Sequence, residues 1–174
     1  VLDYIIIRQE AVTISVSDAG YATYATKYNV KVPESNDVKV MTVTVNEGNS
    51  TITLHEIPAK TVIPANTGIL VKAPGNCDFV VRSDKGETLA NNDLKAATTD
   101  VTSESEGAKY FALTTLSDGK VGFALVANGV VIPAGKAYLE VSKGTAAKFF
   151  SLDGEATGIN SVKTAKADGA YYTL

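Results

Sequence analysis

The sequence contains no tryptophan and only one cysteine, one histidine and one methionine among its 174 residues. Because Cys77 has no second cysteine to pair with, a disulfide scaffold is excluded, and we expect a half-buried thiol after a turn. One His and one Cys also exclude a zinc site built from these ligands. Any Ser–His–Asp or Cys–His arrangement would have to use His55, which we expect to be an ordinary surface residue of a strand.

The sequence also lacks a strong charge of either sign and a long apolar run. Its formal net charge is −3, and its Lys and Arg residues are scattered singly. This distribution argues against binding to nucleic acid, which requires a basic patch. No apolar run approaches the ~18–20 residues that cross a bilayer, so we expect no membrane insertion. Hydrophobic residues make up 45% and charged residues 20%, which is typical of a globular chain that we expect to be a monomer.

The carboxylates offer no clear catalytic pair and the glycines no phosphate-binding loop. Nearly all Asp and Glu residues lie in turn signals, where they favour turn formation rather than acid–base chemistry. We therefore expect a protein that is not an enzyme and that holds no cofactor. The run Asn91-Asn92-Asp93 has oxygen ligands suitable for a structural calcium ion, but it lacks the spaced acidic pattern of a dedicated calcium loop.

A segment beginning Val-Ile-Pro-Ala occurs twice and organises the chain. Val62–Gly75 and Val131–Gly144 align without a gap at an offset of 69 residues (131 − 62), and six of the fourteen positions are identical. The flanking residues repeat as well. Tyr110 to Leu113 corresponds to Val40 to Val43, and Phe149-Phe150 lies close to the counterpart of Phe79-Val80. This pattern predicts two similar halves, at about 38–82 and 108–152, with Leu70 and Leu139 both inside the core.

Short β-branched runs separated by Gly, Asn, Asp and Pro turns predict an all-β chain. Two matching halves favour a β-sandwich or barrel with internal pseudo-twofold symmetry, and the alternative is a β-trefoil-like fold, which needs three equivalent units. The stretch from Ser83 to Gly107 lacks alternation. We expect an irregular connection there, with one short helical turn near Leu89 to Leu94.

Exposed aromatic rings and nearby amides are the features that suit non-catalytic sugar binding. Tyr21 and Tyr24 point to opposite faces of one strand, so at least one of them is expected in the core. The sequence predicts Tyr24 and Tyr28 as an exposed pair, and Asn91 and Asp93 as further ligand-binding residues. The alternative is that the tyrosines only pack against strands.

Three stretches together resemble a known family. These are Gly20-Tyr21-Ala22-Thr23-Tyr24, the two Val-Ile-Pro-Ala segments, and Phe149-Phe150-Ser151-Leu152-Asp153-Gly154-Glu155-Ala156-Thr157-Gly158-Ile159. Their order is similar to that of a C-terminal β-module found in large secreted proteins of Bacteroidetes, including polysaccharide-degrading enzymes and surface repeat proteins. The resemblance covers about residues 12–174. It implies a secreted or cell-surface location, and it supplies no catalytic residue that can be transferred.

The ends of the chain carry separate expectations. Val1-Leu2-Asp3-Tyr4-Ile5-Ile6-Ile7 resembles the last strand of a jelly-roll carbohydrate-binding module. We accordingly divide the chain into a terminal strand of a preceding domain, or a first strand (1–10), the duplicated module (11–160) and the start of a C-terminal tail (161–174). The expected function is that of an accessory module that binds plant or gut polysaccharide beside other domains of its polypeptide. The alternative is a structural spacer or anchoring domain without a ligand.

Overall fold

A computed structural model describes residues 9–104 and 106–153. The expected strand at 1–8 and the expected tail at 161–174 lie outside the described residues. Within the described residues the chain is all-β and contains no helix. The described part of the chain forms fifteen strands: β1 (Ala11–Ile14), β2 (Tyr21–Ala25), β3 (Val30–Lys31), β4 (Lys39–Asn46), β5 (Thr51–Glu56), β6 (Val62–Ile63), β7 (Gly68–Lys72), β8 (Cys77–Val81), β9 (Leu94–Ala96), β10 (Val101–Thr102), β11 (Ala108–Thr115), β12 (Val121–Leu125), β13 (Val131–Ile132), β14 (Ala137–Ser142) and β15 (Phe149–Ser151).

Within residues 9–104 and 106–153 the strands form four antiparallel sheets, and none of these sheets closes on itself. Inner sheet 1 has the order β2-β7-β4-β5, and inner sheet 2 has the order β15-β12-β11-β14-β9. Outer sheet 1 has the order β1-β8-β3-β6, and outer sheet 2 is the pair β10-β13. Buried side chains of both inner sheets pack against each other in one cluster. The all-β sandwich expected from the sequence is therefore confirmed.

The strand pairings show that the two halves share one topology. Met41 pairs with Leu70 in the first half, and Phe111 pairs with Leu139 in the second. In the same way Ala25 pairs with Gly68, and Ala96 pairs with Ala137. The pairs β2–β7–β4–β5 and β9–β14–β11–β12 thus correspond, at offsets of 71, 69, 70 and 69 residues. Leu70 and Leu139 are both fully buried, as the repeat predicted.

The Val-Ile-Pro-Ala segment has a structural role in both halves. The side chain of Asn29 accepts a hydrogen bond from Ala65 N–H at 2.9 Å, and the side chain of Asp100 accepts one from Ala134 N–H at 2.9 Å. The residue after each alanine, Asn66 or Gly135, has a positive φ, which Gly and Asn tolerate best. The segment therefore forms a turn that is bonded to the residue immediately before β3 in the first half and before β10 in the second.

Each half also has its own outer core. Between inner sheet 1 and outer sheet 1 lies an apolar cluster that includes Ile69, Val71 and Phe79. The corresponding cluster of the second half is smaller and includes Ile132 and Tyr138. Alternation along β7 explains the arrangement, because Leu70 faces the other inner sheet while Ile69 and Val71 face the outer sheet. A strand covered on both faces in this way reads as a continuous apolar run.

Two expectations about the halves were wrong. The stretch from Ser83 to Gly107 is not an irregular connection with a helical turn, because it contains β9 and β10, the counterparts of β2 and β3. These strands have only three and two residues, too few to show alternation in the sequence. Phe149-Phe150 is also not the structural counterpart of Phe79-Val80. Strand β8 pairs with β1 and β3 in outer sheet 1, whereas β15 pairs with β12 in inner sheet 2.

Candidate functional site

The two tyrosines predicted for ligand binding lie in different environments. Tyr24 is half-buried and packs against the outer core of the first half. Tyr28 is 45% exposed, and Lys27 Nζ lies 5.5 Å from the centre of its ring. Tyr21 packs on the opposite face of β2, against the core between the inner sheets. Tyr21 and Tyr24 therefore face opposite ways as predicted, but Tyr28 is the more accessible ring, and Tyr24 is partly taken up by packing.

The two polar candidates, Asn91 and Asp93, belong to a loop that holds the halves together. Asp93 N–H donates to Val43 O at 2.7 Å, and one carboxylate oxygen of Asp93 accepts from Val45 N–H at 2.8 Å. Asn91 is exposed and has a positive φ of 54°. Residues 9–104 and 106–153 contain no group of three or more His, Cys, Asp or Glu placed to hold a metal ion. The calcium hypothesis stays a prediction. The Asp93 carboxylate joins the loop to β4 through its hydrogen bond with Val45 N–H.

His55 and Cys77 both lie in structural positions. The His55 ring is half-buried, and its Nε2 lies 2.9 Å from Thr44 Oγ1. Burial, and to a lesser extent the charge of Asp78, raises the pKa of the Cys77 thiol, so the nucleophilic thiolate is disfavoured. Neither residue is arranged as an activated nucleophile or base.

The sequence did not single out the outward face of inner sheet 2, where two tyrosines stack. The ring centres of Tyr110 and Tyr138 are 5.4 Å apart and the planes meet at 27°. Glu140 lies directly across from Tyr110 on the neighbouring strand, and Lys95 lies across from Tyr138. Tyr138 is 8% exposed, and Tyr110 is half-buried, so Tyr110 offers the more accessible ring. We call Tyr110, Tyr138, Glu140 and Lys95 the tyrosine face.

The tyrosine face corresponds to a surface that is covered in the first half. Val40, Ile69 and Val71 occupy the positions of Tyr110, Tyr138 and Glu140, and all three are fully buried beneath outer sheet 1. Outer sheet 1 has four strands, whereas outer sheet 2 has two among the described residues. The smaller cover leaves Glu140 exposed and Tyr110 half-buried, while Tyr138 stays buried in the outer core of the second half. Two tyrosine rings with polar hydroxyl groups and one glutamate carboxylate replace the apolar residues of the first half, and such side chains suit a surface in contact with water.

The charges on the tyrosine face act on the phenols. Partial burial and the negative charges of Glu140 and Glu104 raise the pKa of Tyr110. Partial burial, then Glu140 and then Tyr110 itself raise the pKa of Tyr138. Both phenols therefore stay protonated well above neutral pH and keep an O–H donor. The face combines the half-buried ring of Tyr110, stacked on the buried ring of Tyr138, with two phenol hydroxyls, a carboxylate and an ammonium group.

Comparison with protein-family models, with curated proteins and with solved structures found no match to this chain. Among the described residues there is no helix long and apolar enough to cross a membrane.

Proposed function

We propose that this chain is a non-catalytic accessory module of a secreted bacterial polysaccharide-active protein, and that it binds glycan through the tyrosine face. The observation that carries the proposal is the stacked pair of Tyr110 and Tyr138 beside Glu140, at a place where the first half has buried Val and Ile. The apolar faces of pyranose rings pack on aromatic rings, while carboxylate, ammonium and hydroxyl groups bind the sugar hydroxyls.

The secreted setting and the accessory role rest on the family resemblance. The module would act beside other domains of the same polypeptide and hold a plant or gut polysaccharide near them, at the cell surface or outside the cell. Tyr28 is a more exposed ring than Tyr110, and Lys27 Nζ lies 5.5 Å from its centre, whereas the tyrosine face has polar groups on both strands.

Affinity electrophoresis and calorimetry against xylans, glucans, mannans and pectins test the proposal. We expect binding to at least one neutral polysaccharide. Tyr110→Val introduces the residue that the first half has at this position and should weaken binding at least tenfold, which corresponds to about 1.4 kcal/mol. Glu140→Gln should weaken binding through the loss of a charged acceptor.

Tyr28→Ala is the matched control, since it removes an exposed ring outside the tyrosine face. Its affinity should equal that of the parent protein. If no polysaccharide binds, the glycan-binding proposal fails. If Tyr28→Ala abolishes binding while Tyr110→Val does not, the site lies on β2 and its following loop instead.

A structural spacer is the second candidate function, and contacts between the halves favour it. Ala25 N–H donates to Gly135 O at 2.9 Å, and Ala137 N–H donates to Thr23 Oγ1 at 3.2 Å. Glu47 accepts from both the N–H and the hydroxyl of Ser142. These contacts join the halves into one unit that would keep neighbouring domains apart at a fixed distance. A spacer unfolds in a single transition and binds none of the polysaccharides.

A further inference from the structure

The loop containing Asp93 shows how an open strand edge is satisfied in this fold. Strand β4 pairs with β7 only over Lys39–Met41, so its later residues lack a strand partner on that side. Asp93 bonds to these residues in place of a strand: its N–H donates to Val43 O, and its carboxylate accepts from Val45 N–H at 2.8 Å. An acidic group is thus the partner of the exposed N–H of β4.

Strand β11 has the same open edge in the second half. It pairs with β14 only over Ala108–Ala112. Leu113 and Thr115, the counterparts of Val43 and Val45, therefore have no strand partner on that side. Leu116 N–H donates to Lys120 O on the β12 side at 2.8 Å. Because successive N–H groups of a strand point to opposite sides, Thr115 N–H points away from β12 and toward the open edge. No described residue accepts a hydrogen bond from it.

A polar crevice lies along this open edge. Its volume is about 60 Å³, and it lies between the halves, with Leu113, Thr114 and Thr115 on one side and Tyr21 to Thr23 on the other. Further lining comes from Ser15, Ser17, Val121 and Lys136, and the Ser17 hydroxyl donates to Tyr21 O at 2.9 Å. A cavity needs only about 10–15 Å³ of such volume to hold one water molecule, so this crevice has room for a carboxylate group.

We propose that this crevice binds the carboxylate of a small hydroxylated acid. One carboxylate oxygen accepts from Thr115 N–H, in the way that Asp93 accepts from Val45 N–H, and Lys136 supplies the opposite charge. At the mouth, the Ser15 hydroxyl bonds to the hydroxyl groups of the ligand, and Ser17 Oγ, which donates its own hydrogen to Tyr21 O, accepts from them. The ligand chemistry matches a sugar acid, and it is separate from the tyrosine face, so neither site depends on the other.

Amide chemical shifts in the full chain test the proposal directly. Isotope-labelled protein is titrated with sodium glucuronate, sodium acetate and glucose. We expect the Thr115 amide to shift in a saturable manner with glucuronate and not with glucose. Tighter binding of glucuronate than of acetate supports the sugar acid as the source of the carboxylate. Equal binding of the two acids supports a carboxylate site and overturns the contribution of the hydroxyl groups.

Two lysine variants separate a site from a nonspecific charge effect. Lys136→Gln should raise the dissociation constant for glucuronate at least tenfold, while the remaining amide signals stay in place. Lys85→Gln removes an exposed charge outside the crevice and should leave the constant unchanged. An unmoved Thr115 amide shows that the crevice holds only water, and an affinity that is insensitive to Lys136→Gln shows binding elsewhere. Either result overturns the proposal.

Discussion

Thr44 and Thr114 occupy equivalent positions on β4 and β11, yet their hydroxyl groups differ in bonding. Thr44 Oγ1 lies 2.9 Å from the Nε2 of His55. Ala124 stands at the histidine's position in the second half (124 − 55 = 69), so the second threonine loses that partner. Thr114 is 3% exposed, and its Oγ1 is buried without a hydrogen-bond partner among the described residues. The same substitution to valine should therefore have opposite effects at the two positions.

The expected magnitudes follow from burial and bonding. At Thr114, valine replaces an unbonded buried hydroxyl by a methyl group of nearly the same shape. Burying the unbonded hydroxyl costs the parent protein about 1–3 kcal/mol, and the valine variant recovers part of this cost. We expect stabilisation by about 1 kcal/mol. At Thr44, valine removes a partly buried hydrogen bond, and the half-buried ring of His55 can turn to water. We expect destabilisation by about 0.5–1.5 kcal/mol.

Urea unfolding followed by circular dichroism measures both variants in one experiment. Parallel transitions with unchanged slopes give the difference in unfolding free energy directly. For a chain of this size, 1 kcal/mol also corresponds to about 2–4 °C in melting temperature. A Thr114→Val protein that is less stable than the parent refutes the reasoning, because the hydroxyl must then have a partner. Equal effects at both positions refute the asymmetry between them.

Three further predictions concern packing, pH and reactivity. Gly68→Ala should lower the free energy of unfolding by about 1–3 kcal/mol, because an added Cβ would lie 3.0 Å from the Cβ of Ala137. Gly48→Ala places its Cβ in open space and should lower it far less. Thermal melts compare the two variants. The hydrogen bonds from Ser142 lower the pKa of Glu47, so its contribution to stability is present above the unfolded pKa near 4.5 and is lost as pH falls below that value. In melts from pH 3 to 7, Glu47→Gln should reduce the fall in melting temperature at the acid end. A fall that is unchanged in the variant contradicts the assignment. Cys77 should react with a thiol reagent far more slowly in the native protein than in urea, since burial raises its pKa.

The sequence predicted most of the fold because its signals were local. Alternation and turn residues were enough to predict the antiparallel pairs β4–β5 and β11–β12, and the Val-Ile-Pro-Ala repeat identified the halves with Leu70 and Leu139 inside. Strands β9 and β10 were missed because five residues carry no usable period. Their identity depends on pairing with β14 and β13, which are more than 25 residues away in the chain.

The candidate site was harder to predict because exposure depends on which strands cover a sheet. Tyr110 and Tyr138 alternate like core residues, and nothing local distinguishes them from Tyr24. A signal was present in the repeat itself, since Val40 and Ile69 align with Tyr110 and Tyr138, and Val71 aligns with Glu140. Comparing the aligned positions for changes from apolar to polar side chains would have pointed to this face.

The packing of the halves explains why such differences are informative. Gly68 and Ala137 are equivalent residues, and they face each other across the interface between the inner sheets. A contact between equivalent residues is expected near a pseudo-twofold axis, where two halves associate like the subunits of a symmetric dimer. In such an arrangement every contact has a counterpart unless the sequences have diverged. Asp93 bonds to the open edge of β4, whereas a crevice lies at the open edge of β11. In the same way, β8 covers the outward face of inner sheet 1, whereas tyrosines lie on the outward face of inner sheet 2. These departures are the positions at which the two halves differ in solvent exposure and in hydrogen bonding, and they include the tyrosine face and the crevice.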